Sequence, residues 1–342
     1  MNLRLPLYII YYAFKTPWSL FFNYVQYVKE KKKLSAGFIY KEVLRTIVKH
    51  NASPLDYFSF RFFDLNESER ETCSCTGFMY EYQLYMNPKR YRQVLNNKIL
   101  FLKHFDQLVK RKWATLDRIT KDDAFATSFL ANANGKIVIK NSTGQAGKQV
   151  NVIDIAGKST KDIVNLMRQK DFDLLEYYVT QHNDLMKMSS TGLNTIRVVT
   201  QYDEGEVEVI CAFIRVSVNS DIDNLSTGNY SVNFGIPIDL QTGKTNGPGV
   251  YLNITKPFVY NHPITNISVL DFQIPFWKEC MDLVTEAAKR VPENKSIGWD
   301  VAVANDGPLL IEGNHNWNNL SLVPGHKGYK KEFLQYWRKS KS

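Results

Sequence analysis

Apolar positions change their spacing partway along this chain. Over residues 35–50 (SAGFIYKEVLRTIVKH) and 91–113 (YRQVLNNKILFLKHFDQLVKRKW) they recur at helical intervals, so the first 130 residues read as mostly helical. Residues 51–90, between these stretches, are aromatic and irregular. Beyond about residue 130 the texture becomes that of strands. GKIVIK (135–140) and QVNVIDI (149–155) flank a Gly-bearing turn, and 173–180, 194–201 and 206–216 are strand-like by their β-branched and aromatic content. A helix is expected over 159–170, started by a Ser cap, and another over 275–291. Residues 217–266 are rich in Asn, Asp, Ser, Thr and Gly and read as loops around short strands; a short basic helix closes the chain.

The most informative stretch is GWDVAVANDGPLLIEGN (298–314), two apolar runs joined at Asn-Asp-Gly. Side chains alternate along a strand, so Glu312 and Asn314 share a face. A two-residue turn would turn Asp300 away from them. A three-residue loop of Asn305, Asp306 and Gly307 pairs Ala304 with Pro308 and sets Asp300 opposite Glu312, with Gly307 at the left-handed position. Two facing carboxylates repel unless something positive lies between them. Two acids and an amide suit Mg²⁺, a hard ion that keeps waters and takes phosphate oxygens. A solvated edge hairpin is the plainer account, but Val301, Val303, Leu309 and Ile311 argue for burial.

Composition adds bounds. The 342 residues, 44% hydrophobic and 23% charged, suit one large or two smaller globular domains. The longest apolar run, 5–14, is too short to span a bilayer and is followed by no small-residue cleavage site. Cys73 and Cys75 have no zinc spacing; with Cys211 and Cys280 they read as free thiols of a reducing compartment, and the expectation is a cytoplasmic protein. The net charge of +9 sits at the ends: residues 1–50 hold nine Lys/Arg against two acids, and 325–342 hold six against one. A basic, aromatic N-terminal region fits either a solvated helical face or peripheral contact with the inner face of an anionic membrane. No nucleic-acid motif supports that third partner.

Residues 137–153 form strand, small polar loop, strand. Gly144 and Gly147 let backbone approach a ligand, and Lys140 could place an ammonium on a phosphate, although neither a P-loop nor a dinucleotide fingerprint is present. No Ser-His-Asp set stands out, and His182, His262 and His315 are too scattered for zinc. Arg197 and Arg215 interrupt apolar strands and must be paired, with a structural acid or with an anionic ligand.

In their order along residues 90–325, LNNKILF (95–101), the strand lysine, the glycine loop, STGLNTIRVVT (190–200), IRVSVNSDIDN (214–224), His-Pro at 262–263 and the D…E-x-N hairpin resemble the ATP-grasp superfamily. The match is closest to its sugar-transfer-associated branch, found with polysaccharide biosynthesis genes. The resemblance implies an α+β ATP-grasp fold, two α/β subdomains sandwiching ATP. A helical region (1–90) would precede a catalytic domain (91–325, with an ATP-binding part near 130–185 and a metal and substrate part near 186–325), and a basic helix (326–342) would follow. It implies Lys98 and Lys140 as phosphate lysines and Ser142 to Lys148, with Gly144 and Gly147, as a flap over the triphosphate. Glu176 and the backbone around Val179 would meet adenine. Ribose has no clear acid, and Asn183 or Asp184 stands in. Asp300, Glu312 and Asn314 match the magnesium ligands, and Arg197 and Arg215 would steady an oxyanion. Asp223, Asn224 and His262 would reach substrate, His262 standing equally well as a structural residue. The branch often pairs two glycines where this chain has Gly228-Asn229.

The activity implied is a carboxylate-amine ligase using ATP and Mg²⁺, joining an amine or amino acid to a uronic acid of a surface polysaccharide precursor. A sugar kinase with the same ATP site, and a non-catalytic membrane-apposed nucleotide-binding protein, are the competing readings.

Overall fold

A computed structural model describes residues 5–144, 150–220, 223–225, 232–318 and 328–340. Among these, nine strands form two antiparallel sheets. The smaller is ordered β1 (Trp113–Thr115), β4 (Leu174–Tyr177), β2 (Lys136–Lys140), β3 (Val150–Asp154). The larger is ordered β7 (Phe234–Ile238), β6 (Glu206–Val216), β5 (Ile196–Asp203), β8 (Ser296–Ala304), β9 (Gly307–Asn314). Helix Thr160–Gln169 starts at a capping box in which Ser159 and Asp162 exchange bonds, and it buries Ile163, Val164 and Met167 in the core of the small sheet. Helix Trp277–Lys289 lays Cys280, Leu283, Val284, Ala287 and Ala288 into the core of the large sheet, which also holds Val198, Ile214 and Trp299.

The N-terminal region is helical as expected, with helices Leu5–Lys15, Trp18–Lys32 and Ala36–His50. Its buried Phe21, Tyr24, Val28, Ile39, Val43 and Phe58 share one cluster with Val250 and Ile254. The stretch 51–90, read as irregular, contains helix Thr76–Met86, whose Phe78, Met79, Tyr82 and Met86 pack with Trp317 and Phe333, the latter from the closing helix Lys330–Lys339. All four cysteines are free and buried.

The continuous helix expected over 91–113 does not form. Asn97 accepts a bond from the Leu100 amide at 3.0 Å and caps a new helix, Lys98–His104. A further turn, Asp106–Val109, ends at Lys110 in the left-handed region (φ 51°), and β1 begins at Trp113. Lys98 therefore opens a helix beside the glycine loop, its amide donating to the Ser142 carbonyl at 2.9 Å.

The hairpin of β8 and β9 reaches the expected facing by a different route. Ala304 pairs with Gly307, not Pro308, so the turn holds two residues, Asn305 and Asp306. That register would set Asp300 against Ile311. A bulge intervenes: Val301 pairs with Leu310, and Asp300 with Glu312, leaving Ile311 as the extra residue. Gly307 has φ +119°, so the turn does place its glycine where one is required.

Candidate active site

A cleft of about 460 Å³ lies between the two sheets. One wall comes from the small sheet. Val138 on β2 pairs with Glu176 on β4, and Lys140, two residues on, shares its face. The Lys140 ammonium is ion-paired with Glu176 Oε1 at 2.7 Å, while Arg111 Nε donates to Glu176 Oε2 at 2.7 Å. Burial would raise the Glu176 carboxyl, but Arg111 and Lys140 outweigh it and hold it at about 2. Burial lowers Lys140, with Glu176 opposing; Lys98 is lowered by burial and by Lys140. The Lys98 ammonium is held by the glycine loop, donating to the carbonyls of Asn141, at 3.2 Å, and Gly144.

The facing wall is a cross-strand row. Arg197 on β5 lies opposite Asp300 on β8, and Asp300 lies opposite Glu312 on β9. Arg197 donates to Asp300 through Nε at 2.5 Å and Nη2 at 3.0 Å, a bidentate pair, and Arg215 Nη2 reaches Asp300 Oδ2 at 2.8 Å. Gly298, opposite Asn314, leaves the space: a Cβ there would lie 2.5 Å from Trp317 and 3.1 Å from the Arg197 stem. Asp223 Oδ2 accepts from the Thr195 amide at 2.7 Å and hydroxyl at 2.5 Å, and Arg215 lies 3.5 Å away.

The two facing carboxylates are unequal. Burial would raise Asp300, but Arg197 and Arg215 more than offset it and hold it well below the usual carboxylate range. Glu312 is raised, first by burial and then by the Asp300 charge. It is an acid without its share of positive charge. Asn314 Nδ2 lies 3.2 Å from Glu312 Oε1 and 3.5 Å from Asp300 Oδ2, and a half-turn of the amide would present its oxygen instead. Among the described residues no group of three or more His, Cys, Asp or Glu is clustered to hold a metal. This set has two carboxylates and an amide, which fits a hard divalent ion that completes its shell with water and phosphate.

Of the residues expected at the site, Lys98, Lys140, Gly144, Glu176, Val179, Arg197, Arg215, Asp223, Asn224, Asp300, Glu312 and Asn314 line this one cleft. Gly147, Lys148 and the pair Gly228-Asn229 lie outside the described residues. Three of the expected residues, Ser142, Asp184 and His262, lie outside the cleft lining. Ser142 is buried and turned to Asp173, which accepts from its hydroxyl at 2.6 Å and its amide at 2.7 Å. Asp184, the ribose candidate, lies on helix Asn183–Met188 outside the cleft lining and pairs with Lys187 at 2.8 Å; neighbouring Asn183 instead meets Asn305 of the β8–β9 turn. His262 is engaged by backbone: its Nε2 donates to the Ser217 carbonyl at 3.2 Å, and Nδ1 accepts from the amides of Ile264 and Thr265. Burial lowers its pKa. Glu176, set beside adenine by the resemblance, has both oxygens engaged by Lys140 and Arg111.

Arg111 is the residue that sequence reasoning missed. Besides Glu176, it donates to the Leu310 carbonyl at 2.6 Å and the Ile311 carbonyl at 3.3 Å, and so ties β4 to the bulge of β9.

A model of the sugar-transfer associated ATP-grasp family matches residues 78–335. No functionally curated protein matches the chain. Among solved structures, the ATP-grasp ligase PsnB complexed with minimal precursor is 16% identical, over 68% of this chain and 56% of that one, with a TM-score of 0.40. An N5-carboxyaminoimidazole ribonucleotide synthetase in its ADP complex is 12% identical over 69% of this chain and 50% of that one, TM-score 0.43. An L-amino acid ligase from Bacillus licheniformis is 12% identical over 70% and 46%, TM-score 0.40. The chain spans about half the length of each.

Proposed function

The chain belongs to the sugar-transfer associated ATP-grasp family and has an ATP-grasp fold behind its helical N-terminal layer, and on that premise we propose that it is an ATP-dependent carboxylate-amine ligase. The observation that carries the reading is the division of labour across one cleft. Cations that suit a triphosphate, Lys98 and Lys140, stand on the small-sheet side, and the oxygen donors Asp300, Glu312 and Asn314 stand on the large-sheet side. Magnesium held by those three would supply charge neutralisation at the γ-phosphate. Several solved ATP-grasp proteins carry nucleotide and magnesium, PsnB with Mg and ADP among them, in keeping with that pair of cofactors.

Lys98 and Lys140 bind the phosphate oxygens and hold the nucleotide in line with a substrate carboxylate. A carboxylate oxygen forms a bond to the γ-phosphorus as the bond to the ADP oxygen breaks, giving an acyl phosphate and ADP. The amine then adds to the carbonyl carbon, phosphate leaves with the carbon–oxygen bond pair, and the ammonium proton passes to the departing phosphate. Arg197 and Arg215, both fixed by Asp300, present guanidinium to the oxyanion of that addition. Asp223 and Asn224 line the cleft beside Arg215 and stand where an acceptor would be read. The backbone near Val179 is the part of the hinge left to meet adenine. The family is described only as sugar-transfer associated, which suits a sugar carboxylate; we take that to be a uronic acid of a surface polysaccharide precursor, with an amino acid or simple amine as nucleophile.

Incubation with Mg-ATP, a uronate sugar and mixed amino acids should release ADP and free phosphate in step with amide formation. Phosphate retained on the sugar hydroxyl would make the protein a kinase. No turnover with any carboxylate and amine pair, with nucleotide bound, would leave a binding protein.

A further inference from the structure

Helix Leu5–Lys15 carries its apolar stripe on the outside. Leu7, Ile10, Tyr11 and Phe14 recur at i, i+3, i+4 and i+7, the spacing that a docked helix turns to its core. Here those four side chains are 67, 56, 56 and 83% exposed. The helix is held from the other side, by buried Tyr12 and by Tyr8, which donates to Glu81 at 2.8 Å and meets Tyr80 edge-on.

The exposed apolar surface continues past this helix. The Trp18 indole donates to the Ala13 carbonyl at 2.9 Å and packs on Phe21 and exposed Phe22, and Phe21 stacks on Tyr40. On helix Ala36–His50, Tyr40, Leu44 and Val48 then form a second exposed row at i, i+4 and i+8, with exposed Lys41 and Arg45 beside it. Around this surface positive charge predominates. Of the nine Lys and Arg in residues 1–50, Lys32 pairs with Asp64, and Arg45 and Lys49 pair with Glu67, while Lys15, Lys29, Lys31, Lys33 and Lys41 stand exposed.

Charge and side-chain type select the occupant. A second copy meeting this face symmetrically would set exposed cations such as Lys15 and Lys41 against their like. Anionic lipid headgroups neutralise such cations, and Trp and Tyr rings are the side chains that settle at the boundary of headgroup and acyl chain. Helix Leu5–Lys15 has 11 residues, and no described helix is long and apolar enough to cross a bilayer, so the contact lies in the plane of the surface.

We propose that helix Leu5–Lys15, the start of helix Trp18–Lys32 and the outer row of helix Ala36–His50 form a docking face for an anionic lipid bilayer. The inference stands apart from the ligase reading, since none of these residues lines the cleft. The docked layer nevertheless abuts it. Val250 and Ile254 pack in the core of that layer, the Tyr24 hydroxyl donates to the Leu252 carbonyl at 3.4 Å, and Leu252 lines the cleft. A lipid-linked acceptor would meet the site from the membrane side.

The test is flotation of the full chain with phosphatidylcholine vesicles, with and without phosphatidylglycerol, at low and high salt. Binding to the anionic vesicles is expected to exceed binding to the neutral ones by at least about tenfold and to fall with salt. Ile10→Ser with Phe14→Ser should weaken it by about tenfold or more without changing thermal unfolding, because both side chains are already in solvent. Lys15→Glu with Lys41→Glu should remove the preference for anionic lipid. No binding to phosphatidylglycerol vesicles at low salt overturns the proposal, as does binding indifferent to the two serines. A dimer in sedimentation that the serine variant dissolves also overturns it and assigns the face to a second copy.

Discussion

Arg111→Met probes the joint between the two walls of the cleft. The guanidinium is buried and makes one charge-assisted bond, to Glu176 at 2.7 Å, and two bonds to backbone carbonyls, at 2.6 and 3.3 Å. Methionine fills similar volume but donates nothing, leaving both carbonyls of the bulge without this donor. A charge-assisted bond contributes about 1.5–3 kcal/mol and each carbonyl bond about 1 kcal/mol, so the loss should be about 3–5 kcal/mol. In a chain of this size that is a fall in melting temperature of roughly 4–7 °C. A second effect concerns ligand binding. Arg111 and Lys140 now share one anion; without Arg111, Lys140 is left in a neutral pair with Glu176 and offers less to a phosphate. Nucleotide affinity should therefore fall about tenfold, and the magnesium requirement should rise because Glu312 follows the bulge. The assays are thermal unfolding and calorimetric titration of ADP at several magnesium concentrations. Arg118→Met, an exposed arginine stacked on Phe125, is the control and should change stability by no more than about 0.5 kcal/mol. A stability change that small for Arg111→Met, or ADP binding equal to the parent at all magnesium concentrations, would refute the reasoning.

Two further outcomes follow from the same geometry. Glu312→Gln should raise the melting temperature of the metal-free protein while abolishing magnesium-dependent turnover, since it removes a half-buried carboxylate that Asp300 repels. For the parent, the sign runs the same way: the folded state holds the Glu312 proton more tightly than the unfolded chain does. Its favourable contribution is thus present at acid pH and lost as pH rises through the raised value, where magnesium should bind progressively better. A melting temperature unmoved by Glu312→Gln, or magnesium affinity flat with pH, would count against the assignment. His262→Ala should destabilise by about 1–3 kcal/mol through the orphaned Ser217 carbonyl and the two amides, with kcat/KM of the surviving folded enzyme unchanged; a selective rise in KM would return His262 to the site.

Much of the site was legible because strands announce themselves locally. β2, β4, β5, β6 and the β8–β9 hairpin are dense in β-branched and aromatic residues, and the polar side chains interrupting them, Lys140, Glu176, Arg197, Arg215, Asp300 and Glu312, all reached the cleft. The facing of Asp300 and Glu312 was read correctly through an incorrect turn. Asn-Asp-Gly is compatible with more than one loop length, and nothing in Leu-Leu-Ile-Glu marks Ile311 as a bulge. Arg111 was hidden by its neighbours. In KRKW, between a helical pattern and a three-residue strand too short to show a period, the run looks like a solvated helix end. Only Arg111 turns inward, toward Glu176 and the carbonyls of Leu310 and Ile311, whose positions depend on contacts 65 to 200 residues away in sequence. Ser142 and Asp184 lie outside the cleft lining, where Ser142 donates to Asp173 and Asp184 pairs with Lys187, contacts that their own positions in the sequence do not announce.

The interlocked ion pairs of the cleft have an electroneutrality consequence. Among its described lining residues Lys98, Arg111, Lys140, Arg197 and Arg215 face Glu176, Asp223, Asp300 and Glu312, an excess of one positive charge if all are ionised. Magnesium-bound ATP brings about two negative charges and leaves the cavity one charge from neutral on the other side. Bare ATP brings about four and would leave a deficit of three in a low-dielectric space. Under the ligase reading the cleft thus works as a charge filter. It admits the nucleotide together with its cation and disfavours the same nucleotide alone, before any side chain has read the base or the sugar.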